Sequence, residues 1–217
     1  MTQVLSVNVG RPRQVRAGNA LVLTSIFKSA VEGRVPVRQH NIDGDRQSDL
    51  TAHGGPYKAV YCYPHEHYAF WRDQLPDAEL AMGAFGENLT TDGLTEDAVW
   101  IGDQYRVGSA LLQVTQPRMP CFKLGIRFGR ADMVKRFWQS GRSGIYFSVI
   151  QEGDVAAGDP VERVARGAEE ISVANVVRLY RGDESSEELL GRALRAPLWG
   201  SWKREIRDRR DLRESVS

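Results

Sequence analysis

The chain has 217 residues, 41% of them hydrophobic, and sets 29 Lys and Arg against 28 Asp and Glu for a formal net charge of +1. So even a balance gives no bulk field for holding nucleic acid or an anionic membrane, and any anion binding has to be local. No apolar run approaches the roughly 18 residues of a membrane span, and the start Met1-Thr2-Gln3-Val4-Leu5-Ser6-Val7 lacks the regions of a secretory signal, so a cytoplasmic protein is expected.

The length exceeds the ~150 residues typical of one domain, which favours a large domain and a smaller appendage. Up to about residue 165, short β-rich runs alternate with Gly, Pro and Asp. Strands are expected over Val4 to Val9, Ala20 to Ser29, Lys58 to Tyr63, Gln104 to Val107, Ala110 to Thr115 and Gly144 to Ile150, a texture that suggests a compact barrel or sandwich. Two helices interrupt it: one over His65 to Arg72 with Pro64 at its first position, the other over Met133 to Trp138 with Asp132 as its cap. The stretch from about Ala156 to Glu170 reads as a joint. Beyond it Val173, Val176, Val177 and Tyr180 share one helical face, Ser185-Ser186-Glu187-Glu188 reads as a capping box, and a last helix starts at Ser201 with Trp202 and Ile206. The expected architecture is mainly β (α+β): a barrel-like domain over 1–165 and a small three-helix domain over 166–217.

Cys121 lies in Gln116-Pro117-Arg118-Met119-Pro120-Cys121-Phe122-Lys123, between two prolines and two cations. The prolines stiffen the segment, while Arg118 and Lys123 favour a thiolate suited to attack or metal ligation. A buried structural thiol is the alternative, and it suits Cys62 within Ala59-Val60-Tyr61-Cys62-Tyr63 better. Two cysteines in such different settings make no disulfide framework. In His53-Gly54-Gly55-Pro56-Tyr57-Lys58 the paired glycines let backbone N–H groups converge on an oxyanion, with Lys58 adding charge; an ordinary hairpin turn fits the spacing equally well. His65 and His67, two apart on a helix, point away from each other and cannot easily share an ion. His40 reads as a surface residue. Phe85-Gly86-Glu87-Asn88 is a turn in which Asn88 offers donors and an acceptor, with a structural role slightly favoured. The loop Asn41 to Gln47 lacks the length and closing glutamate of a calcium loop. The basic tail from Lys203 to Arg213 is interleaved with Glu205, Asp208, Asp211 and Glu214, as on a solvated helix face.

In order, the motifs Gly44-Asp45-Arg46-Gln47, Asp49-Leu50, His53-Gly54-Gly55-Pro56, Tyr63-Pro64-His65-Glu66-His67-Tyr68, Gly86-Glu87-Asn88-Leu89-Thr90-Thr91-Asp92-Gly93-Leu94-Thr95, Ile101-Gly102-Asp103 and Gln116-Pro117-Arg118-x-Pro120-Cys121 resemble MOSC-domain proteins of the YiiM type. MOSC abbreviates the molybdenum-cofactor sulfurase C-terminal domain. The likeness extends to the three closing helices. It implies a β-barrel-like fold that binds molybdenum cofactor (molybdopterin) with Cys121 as protein ligand to molybdenum. It also implies a two-electron reduction of N-hydroxylated compounds, such as hydroxylamino purines, to amines, with electrons from a separate flavin-containing reductase. Arg118, Lys58, Gly54 and Gly55 are then candidates for the pterin phosphate, His53 for proton delivery or a cofactor hydrogen bond, and Asn88 for a pterin or substrate contact. Tyr57 departs from the group's pattern, which places an acidic residue there.

A carrier is the main alternative, with Cys121 bearing a persulfide or the domain passing the cofactor on without turnover. A third is an assembly module docking through Trp199 and Trp202, against which a small helical core is the simpler account. A homodimer is compatible with the sequence.

Overall fold

The apolar run around Cys62 becomes the most enclosed strand in the protein. The computed structural model describes residues 2–48 and 54–214. In chain order these form β1 (Gln3–Val9), β2 (Arg13–Ala17), β3 (Ala20–Thr24), β4 (Ser29–Val31), β5 (Val35–Arg38), β6 (Asn41–Ile42), a 3-10 turn (Pro56–Lys58), β7 (Val60–Pro64), α1 (Glu66–Gln74), β8 (Leu89–Asp92), β9 (Gln104–Val107) and β10 (Ala110–Pro117). There follow α2 (Phe122–Phe128), α3 (Met133–Ser140), β11 (Ile145–Gln151), β12 (Gly153–Val155), β13 (Val161–Ala165), α4 (Val173–Arg181), α5 (Glu187–Arg195) and α6 (Gly200–Glu214).

Eight strands make one mixed sheet in the order β13-β9-β10-β11-β7-β8-β1-β4, and only β7 and β8 run parallel, with Cys62 opposite Leu89. The fold class is mixed α+β. Among the described residues no ladder joins β13 to β4, so the expected barrel is an open sheet. Its seam is stitched near β1 instead: Val4 N donates to Asp159 O at 2.9 Å, Gly158 N to Val4 O at 2.8 Å, and Val161 N to Thr2 O at 2.9 Å.

All five residues of β7 are buried, because alternate side chains serve two different cores. Val60 and Cys62 join an aliphatic core that runs from β1 through β10 and β11 to Val173, Val176, Leu190, Trp202 and Ile206 of the closing helices. Tyr61 and Tyr63 enter an aromatic core with Tyr68 and Trp71 of α1, Phe85, Leu124 of α2 and Phe137 of α3. Cys62 is structural as expected: burial pushes its thiol up to about 12, and its Sγ lies 3.3 Å from Thr91 Oγ1.

Several boundaries differ from the sequence expectation. Pro64 ends β7, and His65 takes the cap position of α1. Asp132 precedes α3 but makes no side-chain cap; its carboxylate pairs with Arg130 at 3.0 Å and Arg136 at 2.6 Å. The capping box of the closing helices belongs to Ser172 and Asn175, while Ser186, one residue beyond the expected cap, accepts from Leu189 N at 3.3 Å. The run Ala20 to Ser29 is two strands, broken where Thr24 to Ile26 turn inward. Val161–Ala165, read as part of a joint, is the edge strand β13. Among the described residues no helix is long and apolar enough to cross a membrane.

Candidate functional site

Strand β10 delivers Cys121. Its last residue, Pro117, still pairs with Ile145 of β11, and the chain then passes through Arg118 to Pro120 before α2 begins at Phe122. Cys121 is half-buried and lines a cleft instead of lying sealed in hydrocarbon. The cleft is walled by Thr24 to Ile26 after β3, Asp45 to Ser48 after β6, Lys58 of the 3-10 turn, Tyr61 of β7, Gly86 and Asn88 before β8, and Tyr146 of β11. Five different connections and the ends of neighbouring strands therefore meet at one thiol.

Charge in this cleft is lopsided. Among the described residues, Lys28, Arg46, Lys58, Arg118 and Lys123 line it against one carboxylate, that of Asp45. Five cations less one anion leave +4 on the lining of a chain whose net charge is +1. The cleft thus carries the concentrated positive charge that local anion binding requires.

Arg118 is buried in the lining of the same cleft. Its guanidinium donates to Phe85 O, lies 4.7 Å from the Tyr61 ring centroid and reaches 5.6 Å from that of Phe137. Burial opposes its charge, but Tyr61, Tyr146 and Cys121 outweigh that and hold it above its ordinary range. The same burial drives the Tyr61 and Tyr146 phenols upward, so both stay neutral near pH 7. Lys58 is pushed down by burial, with Cys121 acting in the opposite sense, and its Nζ lies 4.5 Å from the Trp199 ring centroid. Lys123 Nζ donates to Ser48 Oγ at 2.8 Å.

The floor is an ion pair. Lys28 Nζ and Asp45 Oδ2 are 2.7 Å apart with side chains 9% and 3% exposed, and burial lowers the Lys28 ammonium against the pull of Asp45. Asp45 also accepts from Gly10 N at 2.7 Å and from Asn88 Nδ2 at 2.9 Å. Removing one partner of such a buried pair costs about 3–5 kcal/mol because the other is left uncompensated. Asp45→Ala is accordingly expected to lower the urea midpoint sharply, and Lys28→Met with Asp45→Asn to recover part of the loss; equal midpoints for Asp45→Ala and the wild type would refute this role.

Of the residues expected at the site, Cys121, Arg118, Lys58 and Asn88 come together in the cleft. Asn88 uses its amide inside the protein: Oδ1 accepts from Tyr61 N at 3.1 Å while Nδ2 serves Asp45. This agrees with the structural role favoured from sequence. Gly55 has φ 94°, the left-handed freedom expected there, and precedes the turn that carries Lys58; Gly54 is buried beside it. His53 lies outside the described residues, as do Asp49 and Leu50. Sequence reasoning missed Lys28, Ser25, Tyr61 and Tyr146 as lining. Lys28 carries no local signal, because it meets Asp45 from a separate strand connection.

His65 and His67 belong elsewhere. His65 stacks on Tyr68 at 5.3 Å, and His67 Nε2 meets the buried Glu96 Oε2 at 2.7 Å. His65→Ala and His67→Ala should leave any bound metal at wild-type stoichiometry, and elemental analysis showing loss in either would reverse that assignment.

A family model described as MOSC domain matches residues 49–162, the stretch that carries Lys58, Asn88, Arg118 and Cys121. The chain belongs to the MOSC-domain family. Within it the protein is of the YiiM type: protein YiiM of Escherichia coli (strain K12) is 39% identical over 190 residues, covering 86% of this chain and 84% of that one. The uncharacterized protein YflK of Bacillus subtilis (strain 168) is 42% identical over 209 residues, covering 96% and 94%. The crystal structure of YiiM from Geobacillus stearothermophilus superposes with a TM-score of 0.80 at 36% identity, over 97% of this chain and 100% of that one. A Gibberella moniliformis (strain M3125 / FGSC 7600) protein named "Reductase" is 34% identical over 198 residues, which is 90% of this MOSC chain but 35% of the fungal protein.

The cleft's donors suit a molybdopterin. Cys121 offers a soft, reachable sulfur, and Lys58, Lys123 and Arg46 surround it with cations suited to a phosphate. Ser25 Oγ, buried in the cleft wall, has no hydrogen-bond partner among the described residues. A polar ligand would satisfy it, as buried hydroxyls require.

Proposed function

We propose that this protein is a molybdenum-cofactor-dependent reductase that converts N-hydroxylated compounds, hydroxylamino purines among them, to amines. The observation that carries the reading is the half-exposed Cys121 sulfur in a cleft lined, among the described residues, by five cations and one carboxylate. The reaction is R–NHOH + 2 e⁻ + 2 H⁺ → R–NH₂ + H₂O. The cofactor, when bound, supplies the two-electron redox centre, while the protein supplies anchorage, orientation and electrostatics.

Each of those tasks falls to named residues. Cys121 anchors the metal as a thiolate, which the neighbouring Arg118 and Lys58 favour over the thiol. Lys58, Lys123 and Arg46 hold the phosphate, with the Gly54-Gly55 backbone beside them. Arg118 is held by the Phe85 carbonyl and the Tyr61 ring, which positions its charge in the cleft. His53 delivers a proton or a hydrogen bond, as an imidazole can near neutral pH. A separate flavin-containing reductase provides the electrons. The fungal relative's name, "Reductase", agrees with this activity.

Elemental analysis together with pterin fluorescence after oxidative release tests the reading on protein made in a host that synthesises the cofactor. One molybdenum and one pterin per chain are expected. Mass spectrometry of protein purified without reductant separates the alternative: an added sulfur on Cys121 with no molybdenum makes the protein a sulfur carrier, and a cofactor-loaded protein with no turnover makes it a cofactor carrier.

A further inference from the structure

Alternation along β11 sends Ile145 and Phe147 into the aliphatic core and turns Tyr146 to the other face, opposite Tyr61 of β7, with ring centroids 5.0 Å apart. Both tyrosines line the cleft. Tyr61 is 3% exposed, its ring faces the Arg118 guanidinium 4.7 Å from the centroid, and its phenol donates to Ser143 O at 2.9 Å. Tyr146 is half-buried, so among the described residues it is the aromatic surface that a molecule in the cleft can meet.

Its hydroxyl is also uncommitted. The Tyr146 carbonyl accepts from Thr115 Oγ1 at 3.0 Å, but the phenol has no hydrogen-bond partner among the described residues, whereas Tyr63 accepts from Trp71 Nε1 at 2.6 Å and Tyr105 donates to Asp103 at 3.3 Å. The charges acting on the Tyr146 phenol are those of Arg118, Cys121 and Asp45, all in the cleft lining, so the hydroxyl faces the space that the sulfur faces. The other neutral polar side chains of the wall are engaged or sealed. Thr24 accepts from Ile26 N at 3.2 Å, Gln47 donates to Lys58 O at 3.3 Å, Ser48 accepts from Lys123, Asn88 is shared between Tyr61 and Asp45, and Ser25 Oγ is buried. The cations of this cleft select negative charge; a neutral O–H beside a ring selects a flat molecule with an acceptor in its own ring.

We infer that Tyr146 is a specificity-determining residue, stacking its ring on a planar heteroaromatic N-hydroxylated substrate and donating its phenol hydrogen to a nitrogen acceptor of that ring. The inference deepens the reductase reading and rests on it for the reacting N–OH group. A substrate without a ring acceptor leaves the phenol unpaired, and sites built around such a hydrogen bond reject analogues that lack it.

Tyr146→Phe keeps the ring and removes the donor; Tyr146→Leu removes both. Three substrates, each driven by dithionite-reduced benzyl viologen, read the two parts: 6-hydroxylaminopurine has an aromatic ring with acceptor nitrogens, phenylhydroxylamine a ring without them, and N-cyclohexylhydroxylamine neither. Wild type should prefer them in that order. Tyr146→Phe should lower kcat/KM for the purine at least about tenfold more than for phenylhydroxylamine, mostly through KM, and Tyr146→Leu should erase the preference for phenylhydroxylamine over the cyclohexyl compound. Calorimetry with adenine needs no turnover: its Kd should rise at least about tenfold in Tyr146→Phe at unchanged molybdenum and pterin content. Equal losses on all three substrates, or an adenine Kd that the substitution leaves unchanged, overturn the assignment. So does a loss of pterin from Tyr146→Phe, which would give the phenol to the cofactor. A wild type that binds adenine through Tyr146 yet reduces none of the three compounds overturns the reductase reading and keeps the recognition.

Discussion

Cys121→Ser is expected to purify without molybdenum and to lose at least about a hundredfold in viologen-driven turnover, equivalent to about 2.7 kcal/mol of transition-state stabilisation. The fold should survive. Cys121 is half-exposed, its backbone already adopts the extended geometry of a residue preceding a helix, and serine fits there without strain. A melting temperature within about 3 °C of the wild type would separate loss of the ligand from loss of structure. Full metal occupancy in this variant would remove the thiol from the metal's coordination and the reading with it.

Phe85→Ala should cost about 3–5 kcal/mol, the range for deleting a large buried ring. Phe85 is wholly buried and meets Tyr63 at 4.6 Å, Phe128 at 5.2 Å, Tyr68 at 5.3 Å, Trp71 at 5.5 Å and Phe137 at 6.1 Å. No neighbour can fill the gap without giving up its own stacking. The same residue's carbonyl holds Arg118, and its turn is tied by Glu87, which accepts from Gly83 N at 2.9 Å and Phe85 N at 3.0 Å. Urea unfolding should show a lower midpoint with an unchanged slope, and activity measured well below that midpoint should fall as well, because the Arg118 anchor loosens with the turn. A loss under about 1 kcal/mol would mean that the aromatic core collapses around the gap far better than its packing implies.

The parts of this fold that could be read in advance are those whose cause is local. β9, β10 and β11 announce themselves by alternation between turns, and Val173, Val176, Val177 and Tyr180 by a helical period that buries all four. β13 was hidden because four of its five residues are exposed and polar spacing at an edge looks like a connection. α2 was hidden because Gly125 and the proline-bracketed segment before it suggest a loop; the helix is held by Leu124 in the aromatic core and ends at Gly129 in the left-handed conformation. At the site, Cys121 and its flanking cations were legible because they are contiguous. The Lys28–Asp45 floor was not, since it joins two connections from different sheets. Asn88 shows the same limit from the other side: its turn slightly favours a structural role while the family resemblance implies a ligand contact, and only the fold names Tyr61 and Asp45 as the partners of its amide.

Trp199 gives the closing helices a stake in the chemistry at the other end of the chain. Its ring lies parallel to Tyr57 at 6.2 Å, within 4° of coplanar, and under the Lys58 ammonium. An indole so placed is a built-in optical reporter: whatever draws Lys58 toward an incoming anion withdraws a charge from its face, and its emission should change in step with occupancy. Trimming the polypeptide before this residue would strip one wall from the loop and silence that signal together.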